Sequence, residues 1–338
     1  MALFSRRDKS GSVPEPVPDQ PTEPAPVVEP EVVPHVGISV STFGQGAESA
    51  RSLPDAEAAD PPPVVPAARA AAAAPAATQT VPGMIDNTLL QAALAALPEQ
   101  PQSGDVMNVM RQALQGPLYV RAQGDAQALL AAGQGLSLAV TTHEDKRFLL
   151  AFTGGASMQL SVADEPAAAT SVVGQSAANI LRMAVDSGYD GIYLDHSVVG
   201  ARLVLPVTLV QKAIDEGAPP PFELKAALSG ERTDATATQV AEILGRVPVW
   251  AAGGTDAEGR IGLAEARTAD GVRRLEIFSH PLEVLAMGRG DRPLSLAPEQ
   301  LAAALASDPA LTGVVVDAAG PWIELDRDAL APLLALAG

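Results

Sequence analysis

The chain has 338 residues and no cysteine. That absence removes disulfide staples, thiolate zinc sites and cysteine nucleophiles together. Histidine is almost as scarce: His35, His143, His196 and His280 are the whole set, and none of them has a ligand spacing such as His-Glu-x-x-His. Neither a metal nor a cofactor is expected. Positive charge is short as well. Lys and Arg number 22 against 40 Asp and Glu, for a net charge of −18, so the surface repels phosphate backbones and anionic lipid. Nucleic acid is thereby disfavoured as a partner, and so is polybasic membrane docking. Long apolar runs are also missing. The alanine-rich tract near residues 67–77 is short and broken by Arg69 and Pro75, and the opening Met-Ala-Leu-Phe-Ser-Arg-Arg leads into Ser, Gly, Pro and Glu. Without an export signal or a spanning segment, the expectation is a soluble cytoplasmic protein with no membrane insertion.

Proline, by contrast, is abundant and unevenly placed. Residues 1–83 hold half of the 30 prolines, with Glu, Val, Ala and Gln between them and only Phe4 and Phe43 as aromatics. Such a segment buries too little apolar surface to offset its chain entropy, so it reads as a disordered tail. It would serve as a spacer, or as a tether whose basic tip (Phe4, Arg6, Arg7, Lys9) docks on a partner.

Beyond the tail the chain resembles itself. Leu89-Leu-Gln-Ala-Ala-Leu94 is echoed by Glu223-Leu-Lys-Ala-Ala-Leu228, an offset of 134. Leu114 to Ala122 matches Leu244 to Ala252 at 130, and Thr141 to Thr153 lies over Arg267 to Ser279 at 126. Gly191-Ile-Tyr-Leu-Asp195 matches Gly313-Val-Val-Val-Asp317 at 122, and Leu203-Val-Leu205 matches Ile323-Glu-Leu325 at 120. A steady fall in offset is what a duplicated module with longer loops in its first copy produces. The shared plan is helix, helix, strand, hairpin, helix, strand pair, helix. Glu144-Asp145 and Asp270-Gly271 form the acidic hairpin turns. Ser176 is the predicted N-cap of a helix that Gly188 stops, and Pro298 opens its counterpart. The β-branched runs Ile192–Leu194 and Val314–Val316 read as strands buried on both faces. Helices mixed with mostly antiparallel strands make the class α+β. The expected division is tail 1–83, module 84–217, linker 218–222 and a more degenerate module 223–338.

The order of these segments resembles the SseB N-terminal-type domain of bacteria, whose actinobacterial members are often alanine-rich. The residues that carry it are the Leu-x-x-Ala-Leu helix, Leu118-Tyr-Val120, the hairpin closing on Leu149-Leu-Ala-Phe-Thr153, Gly191 to Asp195, and Leu203-Val-Leu-Pro206. The resemblance covers residues 84–217 well and 220–338 more loosely. It implies a module with no established enzymatic activity. One departure falls after the late strand. Similar proteins often show Asn-Pro-Gly there, where this chain has Asp195-His196-Ser197 and Asp317-Ala318-Ala319.

Asp195, His196 and Ser197 are the three residue types of a hydrolase triad. Consecutive residues on a strand point to opposite faces, however, and cannot line up as a relay. With Arg202 they form a candidate ligand-contacting turn. His143 beside Glu144 and Asp145 reads as a solvated turn. Gly154-Gly155 and Gly253-Gly254 lack the further glycines of a phosphate cradle, and Arg289-Gly290-Asp291 reads as a plain turn. Trp250 and Trp322, both in the second copy, are core or else anchors for a partner, since binding energy concentrates in such residues. Met107 and Met110, three apart, have core spacing.

No catalytic residue is assigned. The expected function is a non-enzymatic binding or scaffold protein, taking an unidentified protein or small molecule in a groove between the two copies. The alternatives are hydrolase or transferase chemistry near Asp195 and His196, and an adaptor acting through its tail.

Overall fold

The computed structural model describes residues 71–163, 170–217, 222–255, 261–267 and 271–337. Phe4, Arg6, Arg7, Lys9 and His35, and with them the tail reading of residues 1–70, lie outside the described residues, as does Asp270 of the second hairpin turn.

The first module runs α1 (Thr88–Ala95), α2 (Ser103–Ala113), β1 (Pro117–Gln123), α3 (Ala126–Ala131), β2 (Val140–His143), β3 (Lys146–Phe152), α4 (Gly155–Val162), β4 (Thr170–Ser176), α5 (Ala177–Asp186), β5 (Gly191–Leu194), β6 (Leu203–Pro206) and α6 (Val207–Asp215). The second repeats it as α7 (Glu223–Ser229), α8 (Thr236–Leu244), β7 (Val249–Thr255), β8 (Ile261–Leu263), β9 (Glu265–Arg267), β10 (Arg273–Phe278), α9 (Pro281–Ala286), β11 (Arg292–Leu296), α10 (Pro298–Ser307), β12 (Leu311–Val316), β13 (Ile323–Asp326) and α11 (Ala331–Leu334). The class is α+β. One sheet has the order β4-β1-β3-β5-β6 with β2 on β3, and the other has β11-β7-β10-β12-β13 with β8 on β7 and β9 on β10. The two five-strand paths coincide, and β2 and β9 sit on equivalent strands, as duplication requires; β8 has no strand counterpart among the described residues of the first sheet. Pairing is antiparallel except for β3 with β5 and β10 with β12, which are parallel.

Local signals act where the residues place them. Glu144 and Asp145 both have positive φ (47° and 63°), which closes the tight turn between β2 and β3. Ser176 accepts from the Asn179 N–H at the start of α5, and Gly188, at φ 66°, follows its end. Pro298 is the first residue of α10. Strand β5 is buried at every position, and β12 at all but one. Met110 is fully buried, with Met107 packed at the edge of the same core.

The repeated Gly-x-x-x-Asp acquires a physical reason. A Cβ on Gly191 would lie 2.5 Å from the Leu205 carbonyl oxygen, and one on Gly313 would lie 2.0 Å from that of Leu325. Glycine is what lets the last strand of each sheet approach. Asp195 and Asp317, four residues on, leave their strands at φ 46° and 51°. Their N–H groups extend the parallel ladder, bonding the Ala151 carbonyl at 3.0 Å and that of Ile277 at 2.9 Å.

Residues before 84 do not all belong to a tail. The Asp86 carboxylate accepts from the Thr78 hydroxyl (2.8 Å), the Thr80 N–H (3.1 Å) and hydroxyl (3.1 Å), and the Gly155 N–H (3.2 Å). Asp86 therefore ties residues 78–86 to the start of α4. Nor is the linker only a spacer: Phe222, at its end, is buried in the first module's core beside Leu282 of α9. Sequence inspection did not separate β4, β11, α3, α4 or α9, which are short and weakly periodic. The stretch read as a turn around Arg289–Asp291 runs directly into β11 at Arg292.

Candidate functional site

Asp195 and Asp317 are 4% and 2% exposed. Each carboxylate accepts two hydrogen bonds from one residue of the neighbouring strand. Asp195 receives the Thr153 N–H at 2.9 Å and hydroxyl at 2.5 Å, and Asp317 receives the Ser279 N–H at 2.7 Å and hydroxyl at 2.6 Å. Burial pushes Asp195 up from the usual carboxylate range, opposed by the Thr153 and Ser157 hydrogen bonds. Asp317 is pushed up to about 7 by burial, with Glu283 adding to it.

The predicted turn is partly assembled. Ser197 Oγ lies 3.0 Å from His196 Nε2, and Arg202 Nη1 donates to the His196 carbonyl at 2.9 Å. The His196 ring packs near Phe152 and Tyr193, at centroid distances of 5.7 and 5.9 Å. His196 and Ser197 thus do touch, although neighbours on a strand would diverge; the chain leaves β5 at Asp195 and turns, which removes the alternation. Asp195 is directed instead at Thr153 and does not complete a relay.

Trp250, on β7, is half-buried against Phe278 and Val284, with its ring 6.0 Å from His280. Trp322 lies just before β13, not on it. It too is half-buried, and its carbonyl accepts from Arg232 Nη2 at 3.3 Å. His143 is 4.0 Å from Glu144 on the exposed hairpin. Among the described residues no group of three or more His, Asp or Glu could hold a metal ion.

A polar cluster that sequence reasoning missed lies where the modules meet. Glu283, 1% exposed, accepts from Arg111 Nη1 of α2 at 2.7 Å and from Lys225 Nζ of α7. Arg111 also donates to the Gly320 carbonyl at 3.0 Å and, through Nη2, to Asn108 at 2.9 Å. Burial alone would push Glu283 up; Lys225 and Arg111 outweigh it and hold the carboxylate below its usual range. Beside it, His280 Nδ1 accepts the Leu282 N–H at 3.1 Å while Nε2 sits 2.9 Å from the Ala213 carbonyl of α6. Those partners demand a neutral ring protonated at Nε2, and burial lowers its pKa to about 4. One signal was legible: Glu283 is the only charged residue in α9, and Ser157 holds its place in the first copy at the offset of 126.

The two modules also enclose a cleft of about 1100 Å³, lined by Tyr119, Val172 and Gly174 of the first and by Ser229 and Arg232 of the second, with Ala73–Ala77 along it. Gly174 is needed there, because a Cβ would meet the Tyr119 ring at 2.6 Å. Arg232 Nη2 holds the Ala72 carbonyl at 3.1 Å, while its buried Nη1 has no acceptor among the described residues.

Compared with known proteins, the chain matches no family model, no curated protein and no solved structure. Among the described residues no helix is long and apolar enough to cross a membrane.

Proposed function

We propose that this is a non-enzymatic binding protein, a two-module SseB-type platform working in the cytoplasm, whose ligand or partner segment occupies the cleft between the copies. The observation that carries the reading is the duplicated use of Asp195 and Asp317. The one carboxylate of the triad-like turn makes the same two hydrogen bonds as its counterpart in a copy whose following residues are Ala318 and Ala319. A carboxylate bound in the same way in both copies serves the fold, and the turn's apparent chemistry is a by-product of it. The shared core through Phe222 and Leu282 and the buried Arg111–Glu283–Lys225 cluster make one body of the two copies, which keeps the cleft preformed.

Two measurements test this. A library of small molecules and extended peptides should contain binders that raise Tm, as preferential binding to the folded state requires. Arg232→Ala, at the cleft wall, should weaken that shift, measured from the variant's own ligand-free Tm, which the loss of its bonds to the Ala72 and Trp322 carbonyls lowers. Turnover of any substrate in a hydrolase and transferase panel, abolished by His196→Ala or Ser197→Ala, would overturn the reading. That outcome would favour the second one, hydrolase or transferase chemistry on module 1, for which the 3.0 Å contact between Ser197 Oγ and His196 Nε2 is the specific support.

A further inference from the structure

Strand β4 ends its sheet: β1 is its only strand neighbour among the described residues, and every residue from Thr170 to Ser176 is half- or fully exposed. Half of its backbone N–H and C=O groups therefore point away from β1 with no ladder on that side. Natural edges of this kind are guarded by charge or proline. The equivalent edge of the second module is guarded, by Arg292 and Pro293 in β11. Strand β4, reading Thr-Ser-Val-Val-Gly-Gln-Ser, has neither, and Val172 is 45% exposed on it. One copy of a duplicated edge is thus protected and the other left open, along the wall of the cleft.

The sequence before the described residues contains a segment suited to that edge. Residues 35–53 are the longest stretch without proline in the first 83. Within them Val36-Gly-Ile-Ser-Val-Ser-Thr42 alternates β-branched residues with small ones, the period of a strand with one apolar face. Residues 35–47 carry no Asp, Glu, Lys or Arg, in a chain of net charge −18, so no charge opposes pairing with the equally uncharged β4. The geometry allows reach as well. The chain enters beside the cleft, its Ala72 carbonyl held by Arg232, and Ala73–Ala77 line the cleft. A tether of 28 residues, the number from 43 to 70, is long enough to reach about 30 Å by chain-length statistics, against about 23 Å for the length of β4.

We propose that Val36–Thr42 of the same chain adds as an extra strand to the outer edge of β4, extending the first module's sheet from six strands to seven. Tethering supplies the segment at an effective concentration in the millimolar range, so a short uncharged strand suffices. The pairing holds whether or not the cleft also takes a ligand.

Hydrogen–deuterium exchange of the full chain tests it, with wild type compared with Ser39→Pro/Val40→Pro. Adjacent N–H groups point to opposite edges, so proline at both positions removes a ladder bond in either register. In wild type, peptides covering 36–42 and 170–176 should exchange about tenfold more slowly than in the variant, with the rest of both modules unchanged. Val172→Lys, from the receptor side, should release protection at 36–42. Equal exchange over β4 in wild type and the proline variant would overturn the proposal. So would protection that disappears on dilution together with a dimer seen by light scattering, which would make the occupant the segment of a second copy.

Discussion

Replacing Lys225 by methionine leaves a side chain of similar reach without its charge, in a place where the charge has one partner. Glu283, 1% exposed, would then face Arg111 alone. At an effective dielectric near 20, unit charges about 4 Å apart attract by about 4 kcal/mol, while taking a carboxylate out of water costs several kcal/mol. One cation roughly offsets that penalty; the second leaves the ionised form clearly favoured, in line with the lowered pKa of Glu283. Lys225→Met should therefore destabilise by about 3 kcal/mol, the low end for breaking a buried ion pair, since Arg111 remains. Restoring neutrality should recover most of that loss. The triple variant Arg111→Met, Lys225→Met, Glu283→Leu should fall within about 2 kcal/mol of wild type, most of the deficit coming from the Gly320 carbonyl that loses its donor. Guanidinium unfolding followed by tryptophan fluorescence reads both, because Trp250 lies 6.0 Å from His280 at the junction. Indistinguishable stability for Lys225→Met, or a triple variant weaker than the single one, would refute the account of the cluster as an ion group held by mutual neutralisation.

The pH dependence of stability should carry two opposed trends. Asp317, raised from 3.8 to about 7, contributes stability that is full below about pH 4 and is lost as pH rises to about 7. His280, lowered from 6.5 to about 4, contributes stability that is lost as pH falls through that window. Asp317→Asn removes the first trend, so its stability relative to wild type should rise between pH 4 and pH 7, by at most about 4 kcal/mol; a pH-independent difference in urea titrations would contradict the burial argument. Gly313→Ala and Gly191→Ala should both destabilise by about 2 kcal/mol or more, Gly313 the worse, because its Cβ would sit closer to a backbone oxygen that cannot rotate away; a neutral result in thermal unfolding would count against the close-approach reason for the repeated glycine. Asp195→Ala should lower stability by about 2 kcal/mol through the orphaned Thr153 N–H and hydroxyl, and Asp195→Asn by less, since the amide can still accept; equal losses for the two would show the hydrogen bonds to be incidental.

The division between what was legible and what was not follows the range of the interactions. Hairpin turns, N-caps, helix stops and doubly buried strands depend on a few consecutive residues. Glu144-Asp145, Ser176, Gly188 and Ile192–Leu194 accordingly sit where their chemistry predicts. Strand β4 was invisible because half of its alternation is small and polar, and its partner β1 lies some fifty residues away. The Asp195-His196-Ser197 turn was legible as a composition but not as a geometry: strand alternation forbids contact between neighbours, and a positive φ at Asp195 removes the alternation.

The sequence by itself determined the duplication, the α+β class and the order of the longer, strongly patterned elements, because helix and strand periods and turn residues are local and repeat with a drifting offset. Tertiary structure alone decided that Arg111, Lys225 and Glu283 share one buried site, and that Phe222 belongs to the first module's core. It also decided that Asp195 of the triad-like turn and its counterpart Asp317 each bind a neighbouring strand. Those contacts join residues up to 172 positions apart, and no local pattern of charge or hydropathy encodes which distant partner a buried polar group will find.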